Sequence, residues 1–264
     1  MTVERELEAR LALARKIARR AAEGTLAFFG RNDLTVEQKD DLSPVTVADR
    51  EAELLLREEI AASFPGDGIE GEEFGVQDGT SAFRWLLDPI DGTKSFVSGV
   101  PLFGTMVAVL CENTPEIGVM EFPAIDESIF AARGQGAWHC RGDKAPIAAR
   151  VSNIDRLSAG LFCTTELESF ASSERWTAFR NLQRTARLTR TWGDCYGYLL
   201  VATGRAELMI DPVLNLWDTA ALMPILEEAG GSLTDFRGEK TIFGGEAVAT
   251  NGRLLAEVLG LISP

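Results

Sequence analysis

The chain has one histidine, two tyrosines and four cysteines in 264 residues, and its 26 lysines and arginines are outnumbered by 40 aspartates and glutamates. Each scarcity excludes something. No second histidine or Cys-x-x-Cys pair stands near His139, so the usual zinc spacings cannot form. A Ser-His-Asp or Cys-His enzyme would have to use that one imidazole, and there is no Gly-x-Ser-x-Gly elbow. His139 is therefore expected to be structural. Cys111, Cys140, Cys163 and Cys195 are scattered without a close pair, which predicts free thiols in a reducing compartment. No run reaches the ~18 apolar residues that a bilayer span needs. The amino terminus opens on Glu4, Arg5 and Glu6 rather than on an apolar signal core, and the expected location is the cytoplasm. A formal net charge of −14 argues against nucleic acid or an anionic membrane as partner, because a phosphate backbone needs a basic face. A small phosphorylated metabolite stays open, since bound cations reverse the local sign.

What is present is a globular composition, 45% hydrophobic and 25% charged, long enough for one large domain or two packed halves. Val3, Leu7, Leu11, Ala14, Ala18 and Ala21 recur at helical spacing and predict an amphipathic helix from residue 3 to about 29. Its basic cluster Arg15, Lys16, Arg19 and Arg20 reads as a solvated face. A second helix is predicted over Val47–Ser63, stopped by Pro65-Gly66-Asp67-Gly68. From Phe83 the texture changes to strands: Arg84–Asp88, Gly104–Leu110, Glu116–Glu121 and Ser128–Ala132, then a turn at Gly134–Trp138. Beyond residue 150 strands and helices alternate. Strands are expected at Ala159–Thr164, Ala186–Arg190, Ala206–Ile210 and near Ala247; helices at Ser173–Gln183, Tyr196–Ala202, Thr219–Ala229 and the carboxyl end. The order predicts an α/β fold in two halves.

With cysteine and histidine chemistry set aside, carboxylates remain. In Trp85-Leu86-Leu87-Asp88-Pro89-Ile90-Asp91-Gly92-Thr93 an apolar strand delivers Asp88 to its end, Pro89 bends the chain and Gly92 permits a strained backbone. Asp88 and Asp91 are then expected to face one pocket. The N–H groups of Gly92 and Thr93 open a short helix as anion donors. The bland alternative is a turn capped by Asp91. Three further acidic segments are ambiguous alone. Glu70-Gly71-Glu72-Glu73 has the look of a solvated loop, and Asp49 and Asp218 have the look of helix N-caps.

Together these segments resemble, in order and spacing, the motifs of the inositol monophosphatase family, the magnesium-dependent, lithium-sensitive phosphatases. The carriers are Val45-Thr46-Val47-Ala48-Asp49, Gly71-Glu72-Glu73, Asp88-Pro89-Ile90-Asp91-Gly92-Thr93 and Trp217-Asp218. Gly118-Val119, Gly134-Gln135-Gly136-Ala137 and Leu200-Val201-Ala202-Thr203-Gly204 extend the likeness over nearly the whole chain. The resemblance implies a layered α/β/α/β/α sandwich, with residues 1–146 as an α+β half and 147–264 as an α/β half, and a homodimer. It also implies two or three Mg²⁺ ions held by Glu72, Asp88, Asp91, Asp218 and the main-chain carbonyl of Ile90. Thr93 and Asp49 would orient and deprotonate a water, and Gly92 and Thr93 would hold the phosphoryl oxygens, with Asp91 and Asp218 also near the substrate. Hard oxygen donors suit that metal.

Substrate identity has to come from the second half. In Arg190-Thr191-Trp192-Gly193-Asp194-Cys195-Tyr196-Gly197, Asp194 stands where inositol phosphatases have an uncharged wall, and Asp211 stands where they place a Glu that grips hydroxyls. Two more carboxylates beside an anion site favour a substrate with a cationic end. Trp192 and Tyr196 offer flat faces, and Arg190 is a candidate to brace the wall. The Gly193-Asp194-x-Tyr196-Gly197 run resembles the histidinol-phosphatase branch of the family. The alternatives are an inositol or other sugar or nucleotide phosphatase, a non-catalytic metal-dependent binding protein, and a helix-cap role for Asp194.

Overall fold

The computed structural model describes residues 3–31, 33, 35–38 and 44–263. The first part of the chain runs α1 (Val3–Thr25), β1 (Val36–Gln38), β2 (Pro44–Thr46), α2 (Val47–Ser63), β3 (Gly68–Gly71), β4 (Gly75–Gln77), β5 (Phe83–Asp91), α3 (Thr93–Val97) and β6 (Gly104–Cys111). It continues through β7 (Thr114–Phe122), β8 (Glu127–Ala132), β9 (Ala137–Arg141) and β10 (Ile147–Ala148). The remainder runs β11 (Leu161–Cys163), α4 (Glu168–Ser172), α5 (Trp176–Thr185), β12 (Leu188–Arg190), α6 (Asp194–Ala202), β13 (Leu208–Asp211), α7 (Leu216–Ala220), α8 (Leu222–Glu228), β14 (Ser232–Thr234), β15 (Ala247–Thr250) and α9 (Leu255–Ile262).

Side-chain alternation along the strands decides the layering. On the sheet ordered β10-β9-β8-β7-β6-β5-β3-β4, Trp85, Leu87, Val107 and Val109 face Ala14, Ile17, Leu56 and Ile60 of α1 and α2. Their neighbours Leu86, Met106, Ala108 and Leu110 face the opposite way, into a core shared with α6 and α8. That core is closed beyond by Met209, Ala247 and Ala249 of a second sheet, ordered β12-β11-β13-β15-β14. The outer residues of this sheet, Phe162, Ile210 and Val248, pack on Phe179 of α5 and Val258 of α9. The result is helices, sheet, helices, sheet, helices, the α/β sandwich expected. Among the described residues no helix is long and apolar enough to cross a membrane, and the four cysteines are free thiols.

Helix α2 begins and ends where its punctuation puts it. Thr46 caps it, with Ala48 N–H donating to the Thr46 hydroxyl at 3.1 Å. Helix α1 stops at Thr25, short of the expected end, and the following residues form a turn. Lys16 and Arg20 pair with Glu59 of α2, Arg19 pairs with Glu23, and the Arg15 guanidinium lies over the Phe130 ring at 3.7 Å. The helix expected over Thr219–Ala229 is two helices meeting at Ala221. Pro224 has no N–H for the carbonyl four residues back, and its ring crowds that carbonyl.

Glu127 on β8 ties the first sheet to the segment that follows α6. Its carboxylate accepts from Arg205 at 2.7 Å and from the His139 ring at 3.1 Å, and Arg141 lies 3.1 Å away. These partners outweigh burial and hold the Glu127 carboxyl down at about 2, against an ordinary 4.5. A depressed carboxyl stabilises the fold above its unfolded value and loses that contribution as pH falls through the folded one. Glu127→Gln is therefore expected to flatten the fall of melting temperature between pH 4.5 and about 2 relative to wild type. Identical acid limbs in thermal melts would refute the role. His139, buried and bonded to Glu127, is structural and lies outside the carboxylate cleft.

Candidate active site

A cleft of about 220 Å³ lies where the end of β5 faces the starts of α6 and α7 and the ends of β11 and β13. It gathers carboxylates: Glu72, Asp88, Asp91, Glu166, Asp194, Asp211 and Asp218, with Lys94 as the cation among the described lining residues.

Asp88 and Asp91 reach one side through a bulge. Strict alternation would send residues three apart to opposite faces. Asp88 pairs with Met106 and Asp91 with Gly104, so three steps on β5 match two on β6 and the extra residue restores a common side. The freed carbonyl of Pro89 accepts the Thr105 hydroxyl at 2.7 Å, and that of Ile90 accepts the Thr93 hydroxyl at 2.9 Å. Gly92 then turns at φ +88° to start α3. A Cβ there would also stand 3.0 Å from the Leu102 carbonyl and 3.1 Å from Asp194 Oδ2, so both backbone and space require glycine. The cap of α3 is Gly92 and not Asp91, whose Oδ2 accepts the Cys195 N–H instead.

Asp218 arrives from the other sheet's connections. It is the third residue of α7, and its Oδ2 accepts the N–H of Asn215 at 2.7 Å, leaving the second oxygen for the cleft. Asp49 occupies the same position in α2: its Oδ2 accepts both the N–H and the hydroxyl of Thr46, at 2.8 and 2.6 Å. Its other oxygen lies 3.4 Å from the Thr93 hydroxyl. Neither aspartate is the N-cap itself.

Glu72 is carried by a braced loop. Its N–H donates to the Leu87 carbonyl at 3.2 Å. Glu53 of α2, fully buried, accepts from Glu73 N–H at 2.7 Å, Phe74 N–H at 3.2 Å and the Arg57 guanidinium at 2.7 Å. Gly71 has no side chain because Glu53 occupies that space.

One carboxylate oxygen from each of Asp88, Asp91 and Asp218 lies within 4.8 Å of the others, the spacing of a set that can hold a cation. Asp88 is 2% exposed, and its Oδ1 is buried with no hydrogen-bond partner. A buried anionic oxygen left in that state is costly unless a positive charge meets it. Burial pushes the Asp88 and Asp91 carboxyls well up, reinforced for Asp88 by Glu72 and for Asp91 by Asp194. Asp218 is pushed up to about 7, by burial first and by Glu72 and Asp211 besides. Burial also raises Asp49, against the Thr46 bonds that lower it. A set of hard oxygens that repel one another and offer no nitrogen or sulfur fits Mg²⁺.

The far wall departs from expectation. Arg190 is exposed on β12, its guanidinium 5.8 Å from the Trp192 ring, and does not line the cleft. Tyr196 turns away to pack edge-on against Phe122. Tyr198, two residues on and on the opposite side of α6, lines the cleft instead. Asp194 lines it too, but the cap of α6 is Gly193, and Asp194 takes φ +50°. Sequence reading passed over Lys94, Thr165 and Glu166. Lys94 Nζ donates to Glu166 Oε2 at 2.8 Å across the cleft mouth. The signal for Thr165 and Glu166 was a polar pair just past an apolar strand, where ligands of α/β sheets collect.

Residues 6–263 match the model of the inositol monophosphatase family. A histidinol-phosphatase of Chlorobaculum parvum is 44% identical over 254 residues, 95% of this chain and 96% of the relative. A histidinol-phosphatase of Mycobacterium tuberculosis is 40% identical over 249 residues, 94% and 96% of the two chains. Among solved structures, the extragenic suppressor protein suhB of Bartonella henselae superposes with a TM-score of 0.86 at 27% identity, covering 96% of this chain and 97% of that one. With a family match over nearly its full length and the carboxylate cluster at the end of β5, the chain belongs to the inositol monophosphatase family.

Proposed function

We propose that the protein is a Mg²⁺-dependent phosphate monoester hydrolase that converts L-histidinol phosphate and water to L-histidinol and phosphate. The observation that carries this reading is the orphaned, buried Asp88 Oδ1 inside the Asp88–Asp91–Asp218 cluster, with the Asp194 carboxylate beside Asp91 in the same cleft. The cluster asks for cations, and the Asp194 carboxylate suits a substrate with a cationic end. The names of the two histidinol-phosphatase relatives support the same substrate.

Glu72, Asp88, Asp91, Asp218 and the Ile90 carbonyl would hold two or three ions. Bound Mg²⁺ supplies charge neutralisation for the phosphate and acidifies the attacking water. The chain's own groups do the rest. Thr93 bonds the Ile90 carbonyl and sits 3.4 Å from Asp49; with its hydroxyl turned to Asp49 it accepts the water's proton as it gives its own to the Asp49 carboxylate. The N–H groups of Gly92 and Thr93 receive phosphoryl oxygens. A homodimer, a cytoplasmic location and the division into residues 1–146 and 147–264 belong to the same proposal.

The test is phosphate release with Mg²⁺ from L-histidinol phosphate, myo-inositol 1-phosphate, fructose 1,6-bisphosphate and adenosine 3',5'-bisphosphate, compared by kcat/KM. The first is expected to lead. A lead for inositol phosphate overturns the substrate, and no hydrolysis of any ester leaves a metal-dependent binding protein. Thr93→Ala is expected to lower kcat by about 10²–10⁴-fold, the share of a positioned proton acceptor. Little change in kcat would remove Thr93 from the proton path.

A further inference from the structure

Asp211 was expected to meet substrate alongside Asp194. It is 3% exposed, at the end of β13, and its oxygens are fully engaged. Oδ1 accepts the Thr164 hydroxyl at 3.2 Å and the Thr165 N–H at 2.9 Å. Oδ2 accepts the Thr165 hydroxyl at 3.0 Å and the Tyr198 hydroxyl at 2.9 Å. A carboxylate offers about four lone-pair directions, and these four donors fill them.

The Thr165 hydroxyl, having given its proton to Asp211, presents its oxygen to the N–H of Asp194 at 2.9 Å. That bond lands on a residue whose backbone is in the left-handed region, φ +50°, where side chains other than glycine are disfavoured. Gly193 lets it happen: a Cβ there would stand 2.8 Å from Thr165 Cβ, so only glycine allows the two segments this close. The carboxylate of Asp194 is thereby laid over Gly92, beside Asp91.

We infer that Asp211 is a positioning residue that acts through Thr165 to hold Asp194 in its left-handed conformation, so that Asp194 alone presents the carboxylate that reads the cationic end of the substrate. This rests on the histidinol phosphate reading above. The side chain that touches substrate and the side chain that specifies its pose are then different residues, on different elements.

Thr165→Val removes the hydroxyl that links them at nearly constant shape, and Thr165→Ser keeps it. The readout, on the full chain with Mg²⁺, is the ratio of kcat/KM for L-histidinol phosphate to that for 4-nitrophenyl phosphate, which has no cationic end. Thr165→Val is expected to lower this ratio about tenfold through KM, the factor of one ordinary hydrogen bond, and Thr165→Ser to restore it. Asp194→Asn is expected to lower the ratio as well, and the double variant to go no further, since both act on one contact. Should Thr165→Val not fold, Tyr198→Phe takes one donor from Asp211 and is expected to lower the ratio about threefold. A ratio unchanged in these variants, or single effects that multiply in the double, overturns the inference. A wild type that does not prefer histidinol phosphate overturns the substrate reading first, and this inference with it; the wild-type ratio alone tells the two failures apart.

Discussion

Asp88→Asn is expected to reduce phosphate release about 10²–10³-fold, the scale for losing one preorganised electrostatic group at a reacting centre, and at the same time to raise the melting temperature of the metal-free protein. The two effects have one cause. Asp88 is buried among Glu72, Asp91 and Asp218, all of which raise its carboxyl, and its Oδ1 has no donor. Without a cation the native state carries that repulsion, and the unfolded chain does not. Asparagine has the same shape, carries no charge and brings an N–H that can donate to a facing carboxylate. Each kcal/mol of repulsion removed raises the melting temperature by about 2–4 °C in a chain of this size. Wild type should gain stability when Mg²⁺ is added, because a ligand that binds only the folded state stabilises it; the variant should gain much less. Thermal melts with and without Mg²⁺, beside a phosphate-release assay, check all three points. A variant that keeps a tenth of wild-type activity and the full Mg²⁺-induced shift would place the metal elsewhere.

Gly118→Ala is expected to cost both stability and activity, although Gly118 touches no part of the cleft. On β7 it pairs with Ala108 of β6 and Ala131 of β8, so three small residues in register make a shallow trough across the sheet. The junction of α7 and α8 lies in that trough. A Cβ on Gly118 would meet the Ala221 backbone, 2.9 Å from its carbonyl carbon and closer still to the oxygen. Backbone cannot rotate aside as a side chain can, so sheet or helix must move. Overpacking of this kind costs about 1–3 kcal/mol, or a melting temperature lower by roughly 2–12 °C. Asp218 lies one turn before Ala221 and moves with it. A misplacement of about 1 Å can lower turnover about 10²-fold. The expected signature is a weakened Mg²⁺ response together with the lower melting temperature. Activity within twofold of wild type would show that the helix start is free of the sheet.

The first half of the site was legible because it is local. Asp88, Pro89, Ile90, Asp91, Gly92 and Thr93 are consecutive, and bend, bulge and helix start follow from their own backbone preferences. Val47–Ser63 was legible for the same reason, with punctuation at both ends. The far wall was not. Thr165, Tyr198 and Asp211 lie on β11, α6 and β13 surroundings that only parallel pairing of β11 and β13 brings together. Helical phase then decides between Tyr196 and Tyr198, and a start assigned two residues late, at Tyr196 instead of Asp194, obscured it. Short strands such as β3, β4 and β14 have too few residues to show a period. The interruption at Ala221 was readable from Pro224 and was missed.

Asp49 and Asp218 share a division of labour between their two oxygens, one given to the first turn of a helix and the other to the site, toward the Thr93 hydroxyl for Asp49 and into the cleft for Asp218. Each position therefore answers to two selections at once. Alanine would lose helix cap and site together, glutamate would keep the cap but carry its second oxygen a methylene off its place in the site, and asparagine would keep the cap but drop the charge. Drift at these positions has no neutral first step, and the fold itself guards the chemistry.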